Sequence, residues 1–376
     1  MKRTTYQPNL DNSSAHRYDP DVKEQPKGYP ICGFQVSRPC WIQRERILQL
    51  FLHVERERQA KKLIVYHQTY HHEGNLQSIL PLIEDSKPIV THVVFAALHI
   101  NVRMEDETPQ PWDVDSDKPS TPEPPKRRVL HLTLNDNDPD DPYYDEVWKE
   151  KAALQAKGVK TLLLIGGAAH GTISELDYAP GSFEHNQERF EVAYSLVRDL
   201  LIRKNFDGLD LDVEEPMTQS GAERFIRRIR QDFSKSFLVT MSPMAPGLQG
   251  GRELSLLDYS SLEQTCGHMI NWYHVQFYNG WGSAGDAEGY EKLVETGFEP
   301  SRLVLAILSS PVHGHGFVGM EDLGGALDVI NKGHPAFAGV ACWEYFASGR
   351  KEKEGAPSEK RWYSRLAGML GTELAL

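Results

Sequence analysis

The chain has 376 residues, enough for one large domain with extensions or for two modest ones. Its 41 basic and 53 acidic side chains leave a net charge of −12, which repels a polyanion at long range and argues against a nucleic-acid partner. With 40% hydrophobic and 25% charged residues it has a soluble globular composition, and no uninterrupted apolar run approaches the ~18–20 residues of a membrane span.

Met1-Lys2-Arg3-Thr4-Thr5-Tyr6-Gln7-Pro8 leads into a polar stretch without an apolar core, so no secretory signal is visible and a cytoplasmic protein is expected. Cys32, Cys40, Cys266 and Cys342 lack the density or spacing of a disulfide scaffold or a zinc site. Reduced thiols are the simplest reading, with a Cys32–Cys40 bridge as the alternative. Residues 1–30 are polar and hold Pro8, Pro20, Pro26 and Pro30, the composition of a tail without fixed structure. Residues 41–60 space Trp41, Ile42, Ile47, Leu48, Phe51 and Val54 among Arg and Glu as an amphipathic helix would. Such a helix caps the bottom of the following fold, or alternatively binds a partner or a membrane surface. Residues 1–60 are therefore read as an N-terminal extension and 61–376 as a single main domain.

From residue 63 onward short apolar runs alternate with helical patterns, the signature of βα units. Leu63–Tyr66 reads as the first strand, a helix follows around Leu76–Ile83, and His92–Leu98 is the second strand. Residues 103–127, with six prolines among many acids, read as a surface insertion. Val129–Leu134 returns as a strand beside the main sheet. Tyr143–Lys157 is helical, and Thr161–Ile165 is the third strand, ending in Gly166 and Gly167. Those glycines permit close backbone approach at a strand end, although an ordinary tight turn would look the same. Helices are expected at Glu188–Lys204, Ala222–Phe233, Tyr259–Cys266, Ala287–Thr296, Met320–Asn331 and Arg361–Leu370. Strands at Phe206–Glu214, Phe237–Pro243, Asn271–Asn279, Leu303–Ser309 and Gly339–Trp343 bring the count to eight, an α/β fold.

The fourth strand carries the chemistry. In Phe206-Asp207-Gly208-Leu209-Asp210-Leu211-Asp212-Val213-Glu214 the period of two sends Leu209, Leu211 and Val213 to one face and Asp210, Asp212 and Glu214 to the other. Successive carboxylates in that column lie about 6–7 Å apart along the strand. If enclosed, they cannot all be ionised, so at least one is held protonated near neutral pH, as a general acid requires. An acidic solvent-facing strand and a cage of hard oxygen ligands for a metal are the other readings. On the sixth strand Gln276 and Tyr278 share a face, and a buried tyrosine hydroxyl needs a partner that a substrate amide can supply. His67, His71 and His72 after the first strand, and His313 and His315 after the seventh, fit no zinc spacing and read as polar surface. The glycines around Gly280–Gly289 lack a phosphate-loop lysine, so nucleotide binding is unsupported.

Asp207-Gly208-x-Asp210-x-Asp212-x-Glu214 resembles the D-G-x-D-x-D-x-E signature of glycoside hydrolase family 18, whose members fold as (β/α)8 TIM barrels. The resemblance implies chitinase or endo-β-N-acetylglucosaminidase activity without metal or cofactor. It further implies retaining, substrate-assisted hydrolysis in which the 2-acetamido oxygen attacks C1. Glu214 would be the acid and then the base, Asp212 would orient the acetamido group, and Asp210 would share a proton with Asp212. Tyr278 would hold the acetamido carbonyl, and Trp343 would form the floor under the cleaved sugar. Gly166, Gly167, Gln276, Asn279, Trp281 and Met241 complete the candidate substrate-binding set, although a core position is the stronger reading for Met241. Leu164 stands where the family's third strand has serine, and Asn279 where many chitinases have aspartate. Asp212-Val213-Glu214-Glu215-Pro216-Met217 is similar to fungal endo-β-N-acetylglucosaminidases, which implies a monomer acting on the chitobiose core of N-glycans on glycoproteins. Chitinase action on chitin oligomers and non-catalytic glycan binding are the alternatives.

Overall fold

The computed structural model describes residues 61–106, 126–177, 184–251, 253–349 and 358–371, so the expected tail and helix within residues 1–60 lie outside the described residues. Strands β1 (Lys62–His67), β4 (His92–Asp106), β6 (Lys160–Gly166), β7 (Gly208–Asp212), β8 (Leu238–Met241), β9 (Trp272–Gln276), β10 (Leu303–Leu308) and β11 (Gly339–Trp343) run parallel. Pairing of β1 with both β4 and β11 closes them into an eight-stranded barrel. The helices Asp145–Ala156, Glu184–Arg203, Gln219–Asp232, Tyr259–Cys266, Glu288–Glu295, Met320–Gly333 and Glu359–Leu370 alternate with the strands. This is a (β/α)8 TIM barrel.

Period two divides the buried side chains into two layers. Val65, Phe95, Leu163, Leu209, Leu211, Val239, Met241 and Val275 face the helices in the larger core. Ile64, Tyr66, Val94, Leu162, Leu164, Trp272, Val304 and Ala306 fill the barrel interior. The acidic strand obeys the same rule, so Asp210 and Asp212 point inward and are buried.

Four expectations change. Leu76–Ile83 is not a helix: β2 (His71–His72) pairs with β3 (Asn75–Leu76), and only the 3₁₀ turn Leu80–Ile83 follows. Pro81 lacks the N–H that a longer helix would need there. The insertion is shorter than 103–127, because β4 runs to Asp106 and pairs antiparallel with β5 (Lys126–Leu134) outside the barrel. The ladder is supported by an Arg127–Glu105 ion pair at 3.5 Å, and residues 107–125 lie outside the described set. The sixth barrel strand stops at Gln276, so Phe277, Tyr278 and Asn279 sit beyond the ladder on the catalytic rim. His67 is buried rather than surface, packed edge-on against Tyr70 and Tyr345.

Candidate active site

At the carboxyl ends of the strands a cavity of about 500 Å³ is lined by Asp212, Glu214, Gln276, Tyr278, Asn279, Trp281, Trp343, Gly166 and Gly167. Nine of the sequence candidates therefore share one chamber. Met241 does not: it points into the helix-facing core, because it stands opposite Leu211 on the outward face of its strand. Asp210 lies one layer below the chamber floor.

Gly166 and Gly167 have φ of +102° and +84°. A Cβ on Gly166 would fall 2.1 Å from the Asp212 carbonyl oxygen, so only glycine lets β6 pass so close to the acidic strand. Gly167 N–H then donates to that same carbonyl at 2.9 Å. The turn is thus specified by the acidic strand beside it.

The Asp210 carboxylate accepts three hydroxyl donors: Thr240 at 2.6 Å, Ser242 at 2.7 Å and Tyr66 at 2.8 Å. His274 Nδ1 lies 2.6 Å from the Tyr66 hydroxyl and 3.3 Å from Asp210 Oδ1. Trp272 Nε1–H donates to His274 Nε2, which leaves Nδ1 as the nitrogen facing this group. Burial pushes the Asp210 carboxyl up, but His274 and the donors Ser242 and Thr240 outweigh it and hold it below the ordinary carboxylate range. Leu164 stands opposite Asp210 on β6, where the resemblance places a serine. The hydroxyls instead come from β1, β8 and the residue following β8.

No hydrogen bond joins Asp210 and Asp212 among the described residues. Asp212 Oδ1 accepts from Gln276 Nε2 at 3.2 Å, and the same amide reaches Glu214 Oε1 at 3.4 Å and the Ser242 carbonyl at 2.8 Å. One amide thus spans the two carboxyls. Burial, then the charges of Glu214, Asp210 and Glu253, push Asp212 well above its ordinary value. Glu214 is raised by burial as well, partly offset by Gln276 and by His170. Two neighbouring carboxyls with raised proton affinity above an ionised third are equipped to hold and pass a proton near neutrality.

Tyr278 is 8% exposed and raised by burial and by the carboxylates, so its hydroxyl stays protonated as a donor. Asn279 adopts φ +55°, held by His315 N–H to its Oδ1 at 2.9 Å and by its own N–H to the His315 carbonyl at 2.7 Å. Trp343 packs against Tyr66 with ring centroids 5.4 Å apart and lines the chamber.

Residues outside the candidate list complete the site. Glu215 accepts from Gly171 N–H at 2.9 Å and Ile173 N–H at 2.8 Å, fastening the loop that lines the chamber after β6. Glu344 accepts from the N–H groups of Gln68 at 2.9 Å and Thr69 at 2.8 Å, fixing the loop after β1. Gln68, His99 and Ala169 line both the chamber and a second cavity of about 740 Å³. That bay is walled by the β4–β5 hairpin through Asn101, His131 and Thr133, with Asn135 and Asp136 beyond it. Among the described residues no group of three or more His, Cys, Asp or Glu is placed to hold a metal ion. Nor is any described helix long and apolar enough to cross a membrane.

The sequence model of glycosyl hydrolases family 18 matches residues 62–317. The fold is similar to a fungal endo-beta-N-acetylglucosaminidase of that family, at 32% identity and TM-score 0.66, covering 82% of this chain and 98% of the other. It is similar also to chitinase ChiC from Aspergillus fumigatus, at 37% identity and the same TM-score of 0.66, with the same coverage of both chains. Chitinase 2 of Rhizopus oligosporus is 27% identical over 211 residues, which are 50% of this chain and 34% of that relative's length. The family match encloses β1 through β10 and every acid of the chamber, so the chain belongs to glycosyl hydrolases family 18.

Proposed function

We propose that this protein is an endo-β-N-acetylglucosaminidase that cleaves the chitobiose core of N-glycans on glycoproteins, by a retaining and substrate-assisted route. Glu214 protonates the leaving oxygen while the substrate's 2-acetamido oxygen attacks C1; water then opens the oxazolinium ion with Glu214 as base. Asp212 orients the acetamido N–H and stabilises the developing positive charge, and Tyr278 donates to the acetamido carbonyl. Asp210, fixed by its three hydroxyl donors, supplies constant negative charge beneath the pair. The supporting observation is the Asp212–Gln276–Glu214 bridge, which joins two raised carboxyls in a chamber that Trp343 also lines.

The N-glycan assignment is supported by the adjoining bay. Its many amide, imidazole and hydroxyl groups, beside the exposed ring of Tyr143, suit a branched, hydroxyl-rich glycan. A second reading, chitin oligomers as substrate, is favoured by the 37% identity to the Aspergillus fumigatus chitinase. A cytoplasmic monomer is part of the same proposal, and the free buried thiols Cys266 and Cys342 are compatible with a reducing compartment. The test is mass spectrometry of glycans released from a high-mannose glycoprotein, run beside a chitin oligomer. Release of glycans that have lost one core N-acetylglucosamine, with the oligomer uncut, is expected; cleavage of the oligomer alone overturns the assignment.

A further inference from the structure

Below the chamber a line of buried side chains leads from the bottom of the barrel to Asp210. Trp272 and His274 alternate inward on β9, and both are buried. Trp272 Nε1 lies 2.6 Å from His274 Nε2, and an indole N–H can only donate. Nε2 must therefore present its lone pair, which puts the ring proton on Nδ1. A doubly protonated ring would set N–H against N–H across that contact, so the imidazole is neutral. Nδ1–H then donates to the Tyr66 hydroxyl at 2.6 Å, and that hydroxyl donates to Asp210 Oδ2 at 2.8 Å. Nδ1 also lies 3.3 Å from Asp210 Oδ1. Every hydrogen in the line points toward the carboxylate, and bonds aligned head to tail polarise one another. The opposite tautomer would aim a lone pair at Asp210 and draw the Tyr66 proton away from it. Among the described residues the charged and titratable groups around the imidazole are Asp210 and Tyr66 on one side. Across Trp272 stand Lys62, 4.8 Å from the indole centroid, and His92, at 5.1 Å between ring centroids. Asp212 and Tyr278 lie above, near Tyr66.

We propose that His274 is a positioning residue of the active site: held as its Nδ1–H tautomer by Trp272, it turns the Tyr66 hydroxyl on to Asp210 and keeps the carboxylate beneath Asp212 ionised and in place. His274 does not line the chamber, so it acts through Asp210 rather than on the substrate. Asp210 stands two residues before Asp212 on the same inward face. A fixed anion at that position keeps the mobile proton on the Asp212–Glu214 pair above. Leu164, opposite Asp210 on β6, offers no side-chain donor, which leaves this line and the hydroxyls of Thr240 and Ser242 to hold the carboxylate. The role in turnover rests on the three acids carrying the chemistry; the tautomer does not.

The first readout is proton–nitrogen NMR of the intact protein with isotope-labelled histidine. The ring in through-space contact with the Trp272 indole proton should carry its hydrogen on Nδ1 and a bare Nε2, the tautomer less favoured in water. A ring with its hydrogen on Nε2 overturns the proposal whatever the enzyme's activity. The second readout is kinetic. His274→Leu removes the donor to Tyr66, so Asp210 takes up a proton more readily. The acidic limb of kcat/KM should then move to higher pH by about half to one unit, and kcat should fall by about 10- to 100-fold with KM unchanged. The alkaline limb should stay, because Asp210 is ionised there in both proteins. His274→Asn, whose amide N–H takes the place of Nδ1–H, should bring the acidic limb back toward the wild-type position. His274→Gln, whose amide takes the place of Nε2, should not, and this pair carries the comparison if His274→Leu does not fold. Unmoved limbs in His274→Leu or His274→Gln, with only Tm lowered, overturn the proposal and assign His274 to packing alone. Wild-type rates in Glu214→Gln would instead sink the catalytic reading and leave the tautomer result standing.

Discussion

Gln276 offers the most informative single change, because one amide contacts both raised carboxyls. In Gln276→Leu the shape is kept and the N–H groups are removed. A hydrogen bond to a charged group contributes about 1.5–3 kcal/mol at good geometry. The contacts to Asp212 and Glu214, at 3.2 and 3.4 Å, are at the long end, so about 1 kcal/mol each is the reasonable scale. Both favour the ionised carboxylate, so their loss raises both groups further, by about 0.7 pH unit each. The two limbs of the bell-shaped profile should therefore move together to higher pH. The Ser242 carbonyl also loses its 2.8 Å donor, which costs about 1–3 kcal/mol if it stays buried and unpaired. The assay is kcat/KM against pH, with Tm measured alongside. A profile that only drops in height, with both limbs in place, would refute the idea that this amide sets the proton affinity of the pair.

Glu214→Gln should fold normally and lower turnover by about two to four orders of magnitude, read by steady-state kinetics; near-normal rates would remove Glu214 as the acid. Gly166→Ala puts a methyl 2.1 Å from the Asp212 carbonyl at φ +102°, so a loss of more than about 2 kcal/mol in denaturant unfolding is expected, together with lost activity. His67 is buried with neither ring nitrogen hydrogen-bonded among the described residues, and burial followed by His71 pushes it down to about 3. The unfolded chain therefore takes up a proton near 6.5 that the native state refuses, so stability falls as pH drops from 6.5 to 3, by up to about 4 kcal/mol. Chemical unfolding of His67→Phe across that range should show a flatter acid dependence than the wild type.

Much of the site was legible because period two does not depend on knowing the partners. The alternation at Leu209–Glu214 put Asp210 and Asp212 on one face, and the same rule paired Gln276 with Tyr278; the barrel then turns the acids and Gln276 inward together. Applied to the whole chain it would also have found His274, two residues before Gln276, and Thr240 on β8 with Ser242 just after it. These escaped because a lone polar residue in an apolar run does not show which acid it meets across the barrel. Tyr66 is the clearest case, since its bond to Asp210 joins residues 144 positions apart. Met241, carried as a candidate although the core was its stronger reading, is in the core. Proximity to a strand end suggested the chamber, whereas its parity with Leu211 puts it among the helices. The helix expected at Leu76–Ile83 failed on local chemistry, where Gly74 at φ +77° and Pro81 favour a turn and a single 3₁₀ coil.

The substrate-assisted step is tested most directly by Asp212→Asn, given a natural glycan in one assay and a preformed oxazoline donor in the other. Asp212 acts by orienting and stabilising the acetamido group before C1 is attacked, and a preformed ring makes that task unnecessary. The variant should therefore fail on the natural glycan yet still consume the oxazoline, transferring the sugar to water or an acceptor through Glu214. Equal processing of both donors, or a covalent glycosyl adduct trapped on Asp212 or Glu214, would contradict the mechanism.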